Sequence, residues 1–186
     1  RDPVSPLGNA SFDGFCTIKE IGPLGMISLR AKPDVKELAK AVKAAVGTSV
    51  PAQRRIEIAG DKACGWMSPD EYILILPYAE TGAAMAAIAS EMGAAHHLAA
   101  VVSDARAVFR VEGDKADQVL AKLCPVDFDT LVEGELRRGG MAPIGIDLEA
   151  AQDDLLEPRR TFRPQRAGRN RIPPQTLAKT ALAMGD

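Results

Sequence analysis

The chain has 186 residues, of which 46 % are hydrophobic and 26 % are charged, and its formal net charge is -2 at neutral pH. This composition predicts a folded globular protein. It argues against a disordered chain and against a dedicated polyanion-binding protein, which would carry a strong positive charge. Because no apolar run approaches the roughly 20 residues that cross a bilayer, and the start of the sequence lacks a secretory signal, we expect a cytoplasmic protein.

The start of the sequence predicts an arm, a hairpin and a helix. Residues 1–14 contain prolines, glycines and little periodicity, so they predict an extended arm that lies on a surface. Strand-like runs at 15–21 and 26–31 flank Gly22-Pro23-Leu24-Gly25 and predict a β-hairpin. Asp34 and Glu37 then have the spacing of a capping box, which predicts a helix over residues 34–46 that ends at Gly47.

The middle of the sequence alternates strand and helix patterns. In chain order it predicts a strand at Ile56 and Ile58, a central strand at 72–76, a helix at 81–92, a strand at 107–111, and a helix that Pro125 ends. Short strands joined through single helices predict an α+β domain at residues 15–138. We expect a ferredoxin-like arrangement, with the helices on one face of a mixed or antiparallel sheet. A doubly wound sheet is disfavoured, because no strand is followed by a dinucleotide-binding glycine fingerprint.

The end of the sequence has a different character. Periodicity fades from about residue 139, and six arginines lie between Arg159 and Arg171 with no acidic residue among them. We therefore interpret residues 139–186 as an irregular Arg/Pro-rich tail. Binding of the arginines to nucleic acid, or to the acidic surface of a partner, is the alternative to a disordered tail.

Two pairs of polar residues raise catalytic or metal-binding hypotheses. His96 and His97 are adjacent, so their side chains diverge and rarely reach one ion, which favours a surface or partly buried pair. Ser103-Asp104 lacks the Gly-x-Ser-x-Gly context of a nucleophile, which favours a turn or cap.

An aspartate pair, the tryptophan and the cysteines each have a functional and a structural interpretation. Asp127 and Asp129 would share a strand face if extended, but solvated loop acids explain them more simply. Trp66, the one tryptophan, suits the core and an interface equally well. The widely spaced cysteines predict buried thiols and no disulfide framework, and they are Cys16, Cys64 and Cys124.

Three stretches together resemble the gamma subunit of heterotetrameric bacterial sarcosine oxidase. They are Leu24-Gly25-Met26-Ile27-Ser28-Leu29-Arg30, residues 66–77 with a Ser-Pro-Asp-Glu-Tyr core, and residues 101–128. Looser forms of the last two patterns resemble the glycine-cleavage aminomethyltransferase superfamily. Members of the gamma family usually continue with another strand and a closing helix. That pattern is absent after about residue 140, which we interpret as a divergent end or a shifted reading frame that leaves a sheet edge open.

The resemblance implies a role within a larger enzyme. The complex oxidises sarcosine to glycine, forming hydrogen peroxide and formaldehyde or methylene-tetrahydrofolate. FAD, FMN, NAD, zinc and tetrahydrofolate would bind to the alpha, beta and delta subunits. The present chain would brace those subunits and contribute no catalytic, cofactor-binding or metal-ligating residue. The alternatives are a stand-alone folate-dependent aminomethyltransferase-like one-carbon transferase and a small RNA-associated protein that uses the arginine tail.

Overall fold

Nine strands and three α-helices make up the part of the chain that the computed structural model describes, residues 3–137 and 179–183. The strands are β1 (Ser11–Asp13), β2 (Thr17–Glu20), β3 (Leu24–Arg30), β4 (Ile56–Ala59), β5 (Lys62–Ser68), β6 (Glu71–Pro77), β7 (Leu98–Val101), β8 (Ala107–Glu112) and β9 (Lys179–Ala183). The helices are α1 (Leu38–Val46), α2 (Thr81–Met92) and α3 (Ala116–Leu123). The predicted α+β class is confirmed.

The larger of two antiparallel sheets has the predicted ferredoxin-like topology. Its strand order is β4-β5-β6-β3-β7, and every neighbouring pair is antiparallel. The path β3-α1-β5-β6-α2-β7 is the β-α-β-β-α-β unit of that fold, and β4 extends it at the outer edge of β5. The smaller sheet has the order β1-β2-β8-β9.

The large sheet lies between two layers. On one face, α1 and α2 cover a buried cluster that includes Ile27, Leu29 and Leu74, so these helices share a face as predicted. On the other face, Met26 and Ile73 pack against Val108 of the small sheet. Successive side chains of a strand point to opposite faces, so Met26 and Ile27 contribute to different layers.

The hairpin predicted from runs 15–21 and 26–31 is wrong, because β2 and β3 lie in different sheets. β3 pairs with β6 over all seven of its residues and with β7 on its other side, so both of its edges are occupied. β2 pairs with β1 and β8 instead. Residues 1–14 were predicted as an arm. Within them, β1 joins the small sheet through its pairing with β2.

The predicted start of the first helix is also wrong. α1 begins at Leu38, Glu37 occupies the N-cap position, and no side chain caps the helix. Residues before it form turns, in which the Val35 N–H donates to the carbonyl of Lys32 and the Leu38 N–H to that of Val35. The predicted end at Gly47 is confirmed. Gly47 has a left-handed φ of 75° and its N–H donates to Lys43.

Later elements follow the predictions more closely. Helix α2 has the predicted bounds, and α3 ends two residues before Pro125. Cys16 and Cys64 are buried, as predicted, and Cys124 is half-buried; burial raises the pKa of Cys64 to about 12. Within the predicted tail, residues 179–183 form β9, which pairs with β8 at the edge of the small sheet. The rest of the predicted tail, including the arginines of 159–171, lies outside the described residues.

Gly25 in β3 is expected to be intolerant of a side chain. A Cβ there would lie 3.1 Å from the carbonyl oxygens of Leu76 and Pro77, and closer still to Thr81 Oγ1. Since those carbonyls belong to the backbone of the neighbouring strand, relief would require the strands to separate. We expect Gly25→Ala to lower the free energy of unfolding by about 1–3 kcal/mol, measured by urea denaturation of the full chain.

Gly82→Ala is the matched control for this substitution. Gly82 lies in α2, and no atom lies within 4 Å of the position that its Cβ would take. Alanine is favoured over glycine in helices, so we expect a change between zero and a gain of about 1 kcal/mol. Equal effects of the two alanines would contradict the close approach at Gly25.

Candidate functional site

The two histidines lie in the connection between α2 and β7. His96 is exposed and His97 is half-buried. The Nδ1 atom of His97 donates to the carbonyl oxygen of Ala95 at 2.8 Å, which fixes the orientation of its ring. Within the described ranges, no group of three or more His, Cys, Asp or Glu side chains is arranged to hold a metal ion.

Ser103 has a structural role. It begins a 3₁₀ turn, Ser103–Ala105, directly after β7, and its side chain is buried. The Met26 N–H donates to Ser103 Oγ at 2.9 Å, and the same hydroxyl lies 3.5 Å from the Met26 carbonyl oxygen, to which it donates. Ser103 therefore completes the pairing of β3 where β7 ends. The adjacent Asp104 is exposed, and the predicted turn at this position is confirmed.

The remaining predicted residues also take structural positions. Trp66 lies in β5, is half-buried, and packs against the cluster under α1 and α2, which favours the core over an interface. Asp127 and Asp129 flank Phe128, and a 3₁₀ turn at Phe128–Thr130 replaces the extended strand on which a carboxylate pair would depend. Thr130 Oγ1 donates to the Asp127 carbonyl oxygen at 2.9 Å within this turn.

Glu20 is a buried carboxylate that the sequence analysis did not single out. Its side chain is 1 % exposed. It accepts hydrogen bonds from the Ser5 hydroxyl at 2.9 Å, the Leu7 N–H at 3.1 Å and the Asn9 N–H at 2.9 Å. These bonds attach residues 5–9 to the end of β2. The available signal was alternation, because Glu20 shares the inner face of its strand with Ile18.

The hydrogen bonds around Glu20 determine its protonation. Burial by itself raises the pKa of the carboxyl group, but hydrogen bonds from Ser5, Asn9 and Leu7 together outweigh burial and hold the pKa below its ordinary value of 4.5. Glu20 is therefore a carboxylate at neutral pH. A buried carboxylate with this many donors is typical of a structural anchor, since its acceptor sites are occupied within the chain.

A cavity of about 280 Å³ lies beside Glu20, between the ends of β2 and β3 and the turn after β7. Its lining includes Glu20, Met26, Ser103, Asp104, Arg106 and Val108. This volume lies near the lower end of the roughly 300–1,000 Å³ that is typical of pockets for small molecules. Its most buried polar groups, Glu20 and Ser103, already bond within the chain.

The two edges of the large sheet differ. The Ile56 N–H donates to the Gly134 carbonyl oxygen at 3.0 Å, and the Leu136 N–H donates to the Arg54 carbonyl oxygen at 2.8 Å, so a later segment covers the start of β4. At the other edge, in β7, Leu98 is 58 % exposed and Val101 is 53 % exposed.

No helix in the described part of the chain is long and apolar enough to span a membrane.

Comparisons with known proteins agree with one another. The model of the sarcosine oxidase, gamma subunit family matches residues 30–131. Sarcosine oxidase subunit gamma from Corynebacterium sp. (strain U-96) is 33 % identical over 114 residues, which cover 60 % of this chain and 54 % of that protein. The match thus spans about half of the relative's length.

Solved structures extend the comparison to the fold. A chain of the heterotetrameric sarcosine oxidase from Corynebacterium sp. U-96, in complex with pyrrole 2-carboxylate, matches with a TM-score of 0.61 and 29 % identity, covering 72 % of this chain and 70 % of that one. Glycine cleavage system aminomethyltransferase T from Bartonella henselae matches with a TM-score of 0.45 and 18 % identity, covering 62 % and 34 %. The second similarity is too low to support an argument about function.

Proposed function

Because this chain belongs to the sarcosine oxidase gamma subunit family, we propose that it is a noncatalytic structural subunit of a heterotetrameric sarcosine oxidase. The observation that carries the proposal is the family match over residues 30–131, which runs from the end of β3 to just beyond α3. The fold shared with a chain of the heterotetrameric sarcosine oxidase from Corynebacterium sp. U-96 also supports it.

The complex is expected to act in cytoplasmic sarcosine catabolism and one-carbon metabolism. Sarcosine is oxidised at its N-methyl group and glycine is released. Two electrons reduce oxygen to hydrogen peroxide, and the methyl carbon leaves as formaldehyde or as methylene-tetrahydrofolate. The alpha, beta and delta subunits would hold FAD, FMN, NAD, zinc and tetrahydrofolate.

The chemistry of the described side chains supports a structural role. Ser103 bonds to the peptide of Met26, and Glu20 bonds to residues 5–9, so both buried polar groups serve the fold. Both side chains line the same cavity of about 280 Å³. What the chain offers partners is a three-layer domain with apolar side chains at its surface, which suits bracing larger subunits.

Coexpression tests the proposal. The full chain, with an affinity tag, is produced together with the alpha, beta and delta subunits of a sarcosine oxidase. We expect the four chains to elute together from a sizing column with flavin absorbance, and the purified complex to form hydrogen peroxide from sarcosine. The chain purified alone is expected to be colourless and inactive.

Two results would contradict the proposal. One is a chain that elutes without the other three subunits under conditions in which they assemble among themselves. The other is turnover of sarcosine, or tight saturable binding of tetrahydrofolate, by the purified chain alone. Tight folate binding would favour a one-carbon transferase.

A further inference from the structure

Within the part of the chain that the structure describes, the backbone of β7 is hydrogen-bonded on one side only. β7 pairs with β3, and within the described ranges it has no second neighbour in the sheet. The N–H of Val102, the residue after β7, donates to the Met26 carbonyl oxygen at 2.8 Å, which fixes the alternation of the ladder. Leu98 and Ala100 therefore direct their backbone groups toward β3, and Ala99 and Val101 direct theirs outward.

The side chains along β7 leave this edge open to pairing. Residues 98–102 include no charged residue and no proline. Exposed edge strands are normally protected by lysine, proline, a bulge or a covering segment, because unpaired backbone groups attract other strands. At the opposite edge, the segment around Gly134 covers the start of β4. β7 has an apolar sequence and outward-facing peptide groups at Ala99 and Val101, and no segment among the described residues covers them.

We propose that the free edge of β7 binds an extended, uncharged strand from a partner subunit, which adds a strand to the large sheet. This inference rests on the proposed function, since it requires a partner polypeptide. The added strand would exchange hydrogen bonds with the backbone of Ala99 and Val101. Its apolar side chains would contact Leu98 on one face of the sheet and Val101 on the other.

The length of β7 argues against a second copy of this chain as the occupant. The strand has four residues, of which only Ala99 and Val101 direct peptide groups outward. Pairing with another β7 would form about four hydrogen bonds and bury far less than the roughly 1,200 Å² typical of a stable interface. A larger partner reaches neighbouring surfaces as well. Val4, 81 % exposed, lines the cavity that begins beside Ser103, just after β7.

Hydrogen exchange in the full assembly tests the edge directly. In the chain alone, the amides of Ala99 and Val101 are expected to exchange rapidly, and that of Ala100 to be protected by β3. In the complex with the partner subunits, we expect Ala99 and Val101 to gain at least about tenfold protection. A contact between side chains alone would leave their exchange unchanged, which would overturn the proposal.

Lysine substitutions in β7 provide a second test of the proposal. Val101→Lys and Leu98→Lys place a solvated charge on the edge, and each is expected to weaken assembly about tenfold or more, measured by titration of the tagged chain with the partner subunits. Ile58→Lys in β4 is the matched control, because Ile58 is 67 % exposed at the opposite edge of the same sheet, and we expect it to bind like the wild type. Urea denaturation of each variant checks that its fold is intact.

The outcomes separate the two proposals. Wild-type assembly together with unchanged binding by Val101→Lys and Leu98→Lys would overturn the edge inference and leave the subunit function standing. Failure of the wild-type chain to assemble would overturn both. A wild-type dimer that Val101→Lys abolishes, with binding to the partner subunits unaffected, would replace the partner strand by a second copy and overturn the proposal as stated.

Discussion

Leu74→Ala is expected to lower the free energy of unfolding by about 2–5 kcal/mol, the largest effect of any substitution considered for this chain. Leu74 is fully buried in β6, between β5 and β3, and packs in the cluster beneath α1 and α2. Truncation removes apolar contacts and leaves a cavity that a sheet paired on both sides cannot close. Urea denaturation followed by circular dichroism measures the change.

Ile58→Ala is the control for that result. Ile58 also lies in the large sheet, but its side chain is 67 % exposed. Its truncation removes little buried surface, so we expect a change within about 0.5 kcal/mol. A loss at Leu74 as small as the loss at Ile58 would show that the cluster beneath the helices is loosely packed in solution.

Glu20→Ala is expected to lower the free energy of unfolding by about 2–3 kcal/mol, because it removes the acceptor of one hydroxyl and two backbone N–H groups. The loss of these hydrogen bonds should be seen first as faster hydrogen exchange at the amides of Leu7 and Asn9. Glu91→Ala, an exposed glutamate on α2, is the matched control and should change stability by no more than about 0.5 kcal/mol. Equal effects of the two would contradict the anchoring role.

The stabilising effect of Glu20 should depend on pH. Because its pKa is held below the ordinary 4.5 in the folded chain, the folded state binds this proton less tightly than the unfolded state does. The contribution of Glu20 to the free energy of unfolding is therefore present in full above the pKa of the unfolded state. It is lost as the pH falls through the pKa of the folded state. The difference in stability between the wild type and Glu20→Ala should shrink as the pH falls below the ordinary pKa of 4.5, and a constant difference would contradict this assignment.

The best predictions from the sequence concern helices and one strand with strong local signals. Helix α2 has the predicted bounds because its alanine-rich run stops at a glycine, and α1 likewise ends at a glycine, Gly47. The apolar run of β6 marks a central strand, buried from both sides. In each case the side chains that form the pattern are the ones that pack.

Two strands of the large sheet, β5 and β7, were not predicted because pairing with their neighbours, and not their own sequence, specifies them. In β5, Gly65 interrupts the strand pattern, yet it is buried, and a Cβ there would lie 3.1 Å from Ile73 Cγ2. That glycine allows close packing between β5 and β6. The four residues of β7 include two alanines, which have little preference for strands, and pairing with β3 makes them one.

The candidate site was predicted less completely than the fold. Sequence patterns placed the turn at Ser103, but they did not show that its hydroxyl would reach Met26, 77 residues earlier in the chain. The hairpin misassignment has the same origin, since alternation identifies strands without naming their neighbours. Glu20 was missed because a single charged residue in a strand normally faces solvent, and its donors come from residues 5–9.

The position of β3 between the two layers has a consequence for how the domain melts. Met26 supports the small sheet and Ile27 supports the helices, so neither layer can come apart without exposing part of a strand that the other one needs. Unfolding of the two layers is therefore coupled through one central strand. Heat should unfold both layers in a single transition, with no populated intermediate in which only the helices remain folded.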